Sequence, residues 1–166
     1  MKHIISILLQ NEAGALARVS NMFSSRGYNI ESLNVAPTNN SLVSRVTLVT
    51  SGSEDIIEQI IKQLGKLVDV VNIIDMTDGD YIERELSMLK LSDNYTDEEA
   101  LFELVNNYDA KIIDDSDGYL TIQIIDESSH IDKFIDCLSK ISTILSVVRS
   151  GSMAVAKGKP VLFFTS

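Results

Sequence analysis

Two short stretches of the chain hold side chains whose types and placement suit the capture of a small zwitterion. The first, Asn11-Glu12-Ala13-Gly14-Ala15-Leu16, joins an Ile- and Leu-rich strand to the start of a helix. The amides of a first helical turn have no partner inside the helix, and the aligned peptide dipoles add partial positive charge there. A glycine at that point lets a carboxylate approach the backbone without meeting a Cβ, so an amino-acid carboxylate can be held locally even in an acidic protein. Asn11 carries a donor and an acceptor on one side chain, suited to either end of such a ligand. The second stretch, Gly27-Tyr28-Asn29-Ile30-Glu31-Ser32-Leu33, opens a predicted strand with Asn29, a residue that strands disfavour. From spacing alone the plainer account carries more weight: Gly14 permits a turn, Asn11 caps a helix and Asn29 belongs to a turn.

Catalytic constellations are thin. His3, His130 and Cys137 do not make a metal-ligand spacing. Cys137, one turn after Phe134, reads as a small buried residue. There is no glycine-rich phosphate loop and no nucleophile elbow. The carboxylate pairs Glu83 with Glu85 and Asp114 with Asp115 are ordinary surface patterns. The expectation is a chain with no catalytic residue, no metal and no cofactor of its own.

The 166 residues allow one ordinary domain or two small ones, and 45% apolar with 23% charged residues is a soluble globular profile. A formal net charge of −10 repels phosphate backbones and acidic membrane surfaces, which argues against nucleic-acid and membrane partners. The one basic cluster, Lys157-Gly158-Lys159, reads as a solvated tail. No apolar run approaches the roughly 20 residues of a membrane helix, and Met1-Lys2-His3-Ile4 leaves no room for a signal peptide before the first strand. The single cysteine excludes an internal disulfide and fits a reduced, cytoplasmic setting.

The elements that must position the two stretches follow from periodicity. A strand is expected over residues 3–10, a helix over 14–26 with Leu16, Val19 and Phe23 on one face, and strands over 28–36 and 42–50. A second helix carries Ile56, Ile57, Ile60, Ile61 and Leu64, and a strand covers 67–76. This β-α-β-β-α-β order forms a ferredoxin-like sandwich, four antiparallel strands with both helices on one face. The strands alternate poorly, with Ile5, Ile7 and Leu9 against Ile4 and Leu8. The bare face or an edge is therefore expected to be covered by another copy or another domain. After a break at Thr77-Asp78-Gly79-Asp80 the plan repeats: strand 85–92, a helix opened by a Thr96–Glu99 capping box, strands near 111–114 and 119–126 flanking Ser116-Asp117-Gly118, a helix opened by Ser129 with Asp132, and strand 144–149. The fold class is α+β, two ferredoxin-like βαββαβ domains over residues 1–78 and 79–166.

The words of the sequence add a resemblance. Asn11-Glu12-Ala13-Gly14-Ala15-Leu16-Ala17-Arg18-Val19, Phe23 and Arg26-Gly27-Tyr28-Asn29-Ile30-Glu31-Ser32-Leu33 resemble the opening of the acetohydroxyacid (acetolactate) synthase regulatory small subunits, which are ACT-domain proteins. The likeness runs on through Ala36-Pro37-Thr38, Ser44-Arg45, Lys62-Gln63-Leu64, Lys66-Leu67-Val68-Asp69-Val70, Glu83-Arg84-Glu85-Leu86 and Val148-Arg149-Ser150-Gly151. It departs at Asn39-Asn40-Ser41, where acidic and proline residues are expected, and it holds only in pattern over 93–116. The resemblance implies that residues 1–78 form an ACT domain that binds an effector and pairs with a second copy. A branched-chain amino acid, usually valine, would lie between Asn11–Leu16 of one protomer and Asn29-Ile30 of the other. The Gly14 and Ala15 amides would take the carboxylate, Asn11 and Asn29 the polar end, and Leu16 and Ile30 the aliphatic side chain. It further implies a large catalytic subunit as partner, holding thiamine diphosphate, Mg and FAD, activated by this chain and restrained when the effector binds. Two other classes stand beside it: a free-standing ACT-type sensor serving another enzyme, and a small enzyme on a ferredoxin-like scaffold.

Overall fold

The computed structural model describes residues 1–162. In the first unit β1 (Lys2–Gln10), α1 (Ala15–Ser25), β2 (Ser32–Pro37), β3 (Val43–Ser51), α2 (Glu54–Leu64) and β4 (Val70–Asp75) follow in order, and the strands form an antiparallel sheet ordered β2-β3-β1-β4. Alternation along β1 sends Ile5, Ile7 and Leu9 to the helical side. There they meet Ala15, Val19, Met22 and Phe23 of α1 and Ile57, Ile60 and Leu64 of α2 in one core. Those helical residues recur at three- and four-residue steps, which gives each helix one apolar stripe to bury. Glu54 and Asp55 in the first turn of α2 and Lys62 in its last suit the helix dipole.

The opposite face of this sheet is not bare. Ile4 and Val49 pack with Met76 and Ala154, and Leu8 and Val43 pack with Leu162. The cover expected from a second copy or another domain comes here from the chain's own C-terminal segment, which includes a short strand, β9 (Met153–Ala156). Arg45 on β3 donates through Nη2 to the Ala154 carbonyl at 3.1 Å, and burial pushes its guanidinium below the ordinary pKa. The outer strands β2 and β4 each keep one open edge among the described residues.

The second unit repeats the plan with β5 (Tyr81–Ser92), α3 (Glu98–Asn107), β6 (Lys111–Ser116), β7 (Tyr119–Asp126), α4 (Ser128–Leu138) and β8 (Ile144–Arg149), ordered β6-β7-β5-β8. Leu101 and Val105 of α3 and Ile131, Phe134 and Leu138 of α4 bury Leu89, Leu91, Leu120, Ile122 and Ile124. The β6–β7 hairpin turns on Asp117 and Gly118, both at positive φ (54° and 79°). A two-residue hairpin favours that backbone, since its twist matches the flanking strands. The expected fold, a βαββαβ plan twice over, is thus the one observed.

Several boundaries differ. The sequence placed the division at 78/79, with a second domain running to 166. The compact units divide between Ile82 and Glu83, and the described chain from Ser152 belongs to the first unit. Residues 163–166 of the expected second domain lie outside the described residues. β2 begins at Ser32 rather than Tyr28, and β4 at Val70 rather than Leu67. Asp97, not Thr96, caps α3, its carboxylate accepting from the Ala100 amide at 3.0 Å, because the Thr96 hydroxyl donates instead to the Ile141 carbonyl. The residue capping α4 is Glu127, without a side-chain bond, in place of Ser129.

Two motifs quoted above from distant parts of the chain prove to be neighbours. Arg149 on β8 donates through Nε and Nη2 to both oxygens of buried Glu85 on β5, at 2.6 and 2.9 Å, and through Nη1 to Asp132 on α4 at 2.6 Å. These carboxylates raise the Arg149 pKa above its ordinary value. Beside them Ser150 closes the pair, its amide donating to the Leu86 carbonyl and its hydroxyl accepting from the Leu86 amide. Removing one partner strands the other in the interior, so Arg149→Ala is expected to destabilise the protein by about 3 kcal/mol. The double variant Arg149→Met/Glu85→Leu should cost less than that single change. Urea unfolding monitored by circular dichroism measures both.

Candidate functional site

The junction between β1 and α1 is built around Gly14, which takes φ +83° as the residue before the helix. That left-handed backbone is open to glycine at little cost and to few other residues. The Ala15 amide donates to the Glu12 carbonyl at 3.2 Å, and the Arg18 amide to the Gly14 carbonyl at 3.0 Å. Between them, the amides of Leu16 and Ala17 have no acceptor among the described residues. The Ala15 amide, expected as a carboxylate donor, is therefore spent on a turn and its side chain is buried in the core. The Gly14 amide, the other expected donor, has no acceptor among the described residues, and the Leu16 side chain is exposed.

Asn11 is fixed from the neighbouring turn. Its amide donates to the Leu42 carbonyl at 2.8 Å and its Nδ2 to the Ser41 carbonyl at 3.0 Å, which leaves Oδ1 open as an acceptor. The turn is stiffened in its own right. The Thr38 hydroxyl lies 3.0 Å from the Asn40 and Val43 carbonyls, and the Asn40 Oδ1 accepts from the Leu42 amide at 3.0 Å. The Asn39-Asn40-Ser41 departure thus makes a well-bonded loop that holds Asn11.

A further pair at the same junction is not evident from residue types and spacing. Arg18, one turn into α1, donates through Nε and Nη2 to Asp69 at 2.5 and 2.9 Å and through Nη2 to the Ala13 carbonyl at 3.4 Å. Asp69 is buried just before β4, and its carbonyl accepts from the Gln10 amide at 2.8 Å. Hydrogen bonding to the guanidinium holds the Asp69 carboxyl below the usual carboxylate range, and the same bond raises Arg18. A Cβ placed on Gly14 would lie 3.0 Å from Arg18 Nη1. Gly14 is thus favoured by its backbone angle, and the Arg18 guanidinium lies close to the space a side chain there would take.

Asn29 and Ile30 are elsewhere. The Asn29 carbonyl accepts from the Thr50 hydroxyl at 2.6 Å, its side chain is exposed, and Ile30 is half-buried against the first core. Along β3, Val43 lies opposite Gln10 at the Asn11 end, while Thr50 marks the Asn29 end. Seven residues at about 3.3 Å each put the two stretches roughly 23 Å apart. One molecule does not bring them together.

The other sequence candidates take plain places. His3 is buried, with Nδ1 2.7 Å from an Asp75 oxygen, and Cys137 is half-buried. Lys157 and Lys159 line an open pocket of about 470 Å³ together with Asp78 and Asp80. Among the described residues no cluster of side chains suits a metal ion, and no helix is long and apolar enough to cross a membrane.

A doubled βαββαβ plan with a glycine-centred junction between its first strand and first helix defines a class of α+β domain pairs, and comparison with known proteins narrows it. The family described as AHAS small subunit-like ACT domain matches residues 5–72, and the family described as small subunit of acetolactate synthase matches residues 84–158. The chain is 40% identical over 162 residues to the acetolactate synthase isozyme 3 small subunit of Salmonella typhimurium, covering 98% of this chain and 99% of that one. It is 38% identical to its Escherichia coli counterpart over the same shares. The crystal structure of the acetolactate synthase small subunit from Thermotoga maritima superposes with a TM-score of 0.83 at 31% identity, covering 96% of this chain and 99% of that one. The chain belongs to the acetolactate synthase small-subunit family, and its first half is an ACT domain.

The Arg18–Asp69 pair carries a pH signature. A carboxyl whose folded pKa is depressed stabilises the fold above its unfolded value and loses that contribution as pH falls through the folded value. The melting-temperature advantage of the native protein over Asp69→Asn should be full at pH 7 and shrink below about pH 4. A scan from pH 7 to pH 3 measures it, and an advantage constant across that range would contradict the pairing.

Proposed function

We propose that this chain is the regulatory subunit of an acetolactate synthase, a non-catalytic protein that activates a large catalytic subunit and lets a branched-chain amino acid, valine foremost, restrain it. Thiamine diphosphate, Mg and FAD belong in this reading to the large subunit, and the complex works in the cytoplasm. Effector binding and pairing belong in this reading to the first unit, residues 1–82 with the described segment from Ser152, and residues 83–151 form the second.

The observation that supports the reading best is the β1–α1 junction, where open Leu16 and Ala17 amides, a Cβ-less Gly14 and the free Oδ1 of Asn11 lie beside the exposed Leu16 side chain. Such a junction offers donors to a carboxylate, an acceptor to an ammonium and apolar surface to an aliphatic group. Asn29 and Ile30 join it from a second copy. β2 has an open edge, and an open strand edge is a template for pairing. Its Ser32 end lies by Asn29 and its Pro37 end by the Asn11 loop. Antiparallel pairing of two β2 edges about a two-fold axis sets each copy's Asn29 end beside the other's Asn11 end. The effector then bridges two molecules, and by linkage it favours whichever state of the complex brings those ends together.

The Gly14→Asp variant tests the reading. Its carboxylate would stand where the effector's own must come, a like-charge contact expected to weaken valine binding by about 100-fold. Calorimetry on the isolated chain measures that loss. The reconstituted synthase should keep its activation and lose its inhibition. Unchanged valine affinity would move the site elsewhere.

A further inference from the structure

The guanidinium of Arg18 presents five N–H donors in one plane, and its contacts within the chain leave one edge unused. Nε and Nη2 are turned onto Asp69, with the weaker contact from Nη2 to Ala13. Nη1 has no acceptor among the described residues, and it is the atom nearest the position a Gly14 Cβ would take. Asp69 is 6% exposed at its side chain, whereas Arg18 is 44% exposed. The carboxylate is the fixed member of the pair and the cation reaches outward from it. Two parallel bonds to one carboxylate also set the plane of a guanidinium, so its remaining edge is held in advance of any ligand. That edge borders the same glycine as the open amides of Leu16 and Ala17.

We propose that Arg18 is a direct ligand of the effector's carboxylate, an assignment that rests on the effector reading above and names the group that selects an anion there. Nη1 donates to one carboxylate oxygen, the open helical amides serve the other, and Asp69 holds the guanidinium in place. Gly14 keeps clear the space through which the two meet. A clamp that only shaped the loop would make the same bonds to Asp69, but it would be indifferent to whether a ligand carries a carboxylate. That difference separates the two roles.

The test titrates the full chain with L-valine and with L-valinamide, which keeps the ammonium and the side chain but has no carboxylate. Wild type, Arg18→Gln and Arg18→Lys are compared by calorimetry, with circular dichroism melts to establish folding. A charge-assisted hydrogen bond of ordinary strength predicts that Arg18→Gln weakens valine binding by about 10- to 100-fold while valinamide binding stays as in wild type. Arg18→Lys, which keeps a cation without the fork, should retain an intermediate preference for valine, and it decides the question if the glutamine variant does not fold. Equal weakening of both ligands, or an undiminished preference for valine in the variants, overturns the assignment alone. A wild-type chain that binds none of valine, leucine and isoleucine overturns the effector reading and this assignment with it.

Discussion

The length of a strand separates Asn11 from Asn29, and the account of this protein turns on that separation. β3 carries the Asn11 loop at one end and, through the Thr50 hydroxyl, the Asn29 carbonyl at the other. Helix α1 connects them along the sheet, so no rearrangement of a loop closes the gap without unpacking Val19 and Phe23 from the core. Interiors are close-packed and resist such changes. If both stretches touch one small molecule, they must come from two copies of the chain. Sensing and association are then one event, because a ligand held by two protomers favours the state in which they meet.

The face opposite the helices is taken by Ala154, Ala156 and Leu162 of the same chain, packed on Ile4, Val49, Leu8 and Val43. The helical face is filled by α1 and α2. The sheet's unpaired edges are β2 and β4 among the described residues, and β2 is the edge flanked at its ends by the two halves of the candidate site. In the second unit the clip of Arg149 across Glu85 and Asp132 ties its last strand to its first strand and last helix.

The architecture was legible in the sequence because the apolar stripes of α1, α2 and α4 and the runs of β1 and β3 obey helical and strand periods. The strand β9 was not, since Met153-Ala154-Val155-Ala156 is too short to establish a period against its surroundings. The cap of α3 lies one residue beyond the Thr96 that the capping box predicts, because Thr96 and Asp97 are both good caps and only a long-range bond to Ile141 decides between them. At the candidate site, Asn11 and Gly14 are visible as residue types at a junction, and the resemblance pointed to Asn29. Which amides stay open is a matter of local turn geometry that types and spacing do not encode. The ion pair of Arg18 with Asp69 joins residues 51 apart in sequence, a span over which periodicity is silent.

The shared site is tested most directly by subunit complementation. Asn11→Ala and Asn29→Ala chains, each purified alone, should bind valine weakly, because every site in either homodimer lacks one half. Unfolded together and refolded as a mixture, they form mixed dimers in which one site draws an intact Asn11 and an intact Asn29 from different chains. The account predicts that tight valine binding returns in the mixture at about a quarter of the wild-type capacity, the share expected for random two-fold pairing. A mixture that binds no better than the separate variants would contradict it.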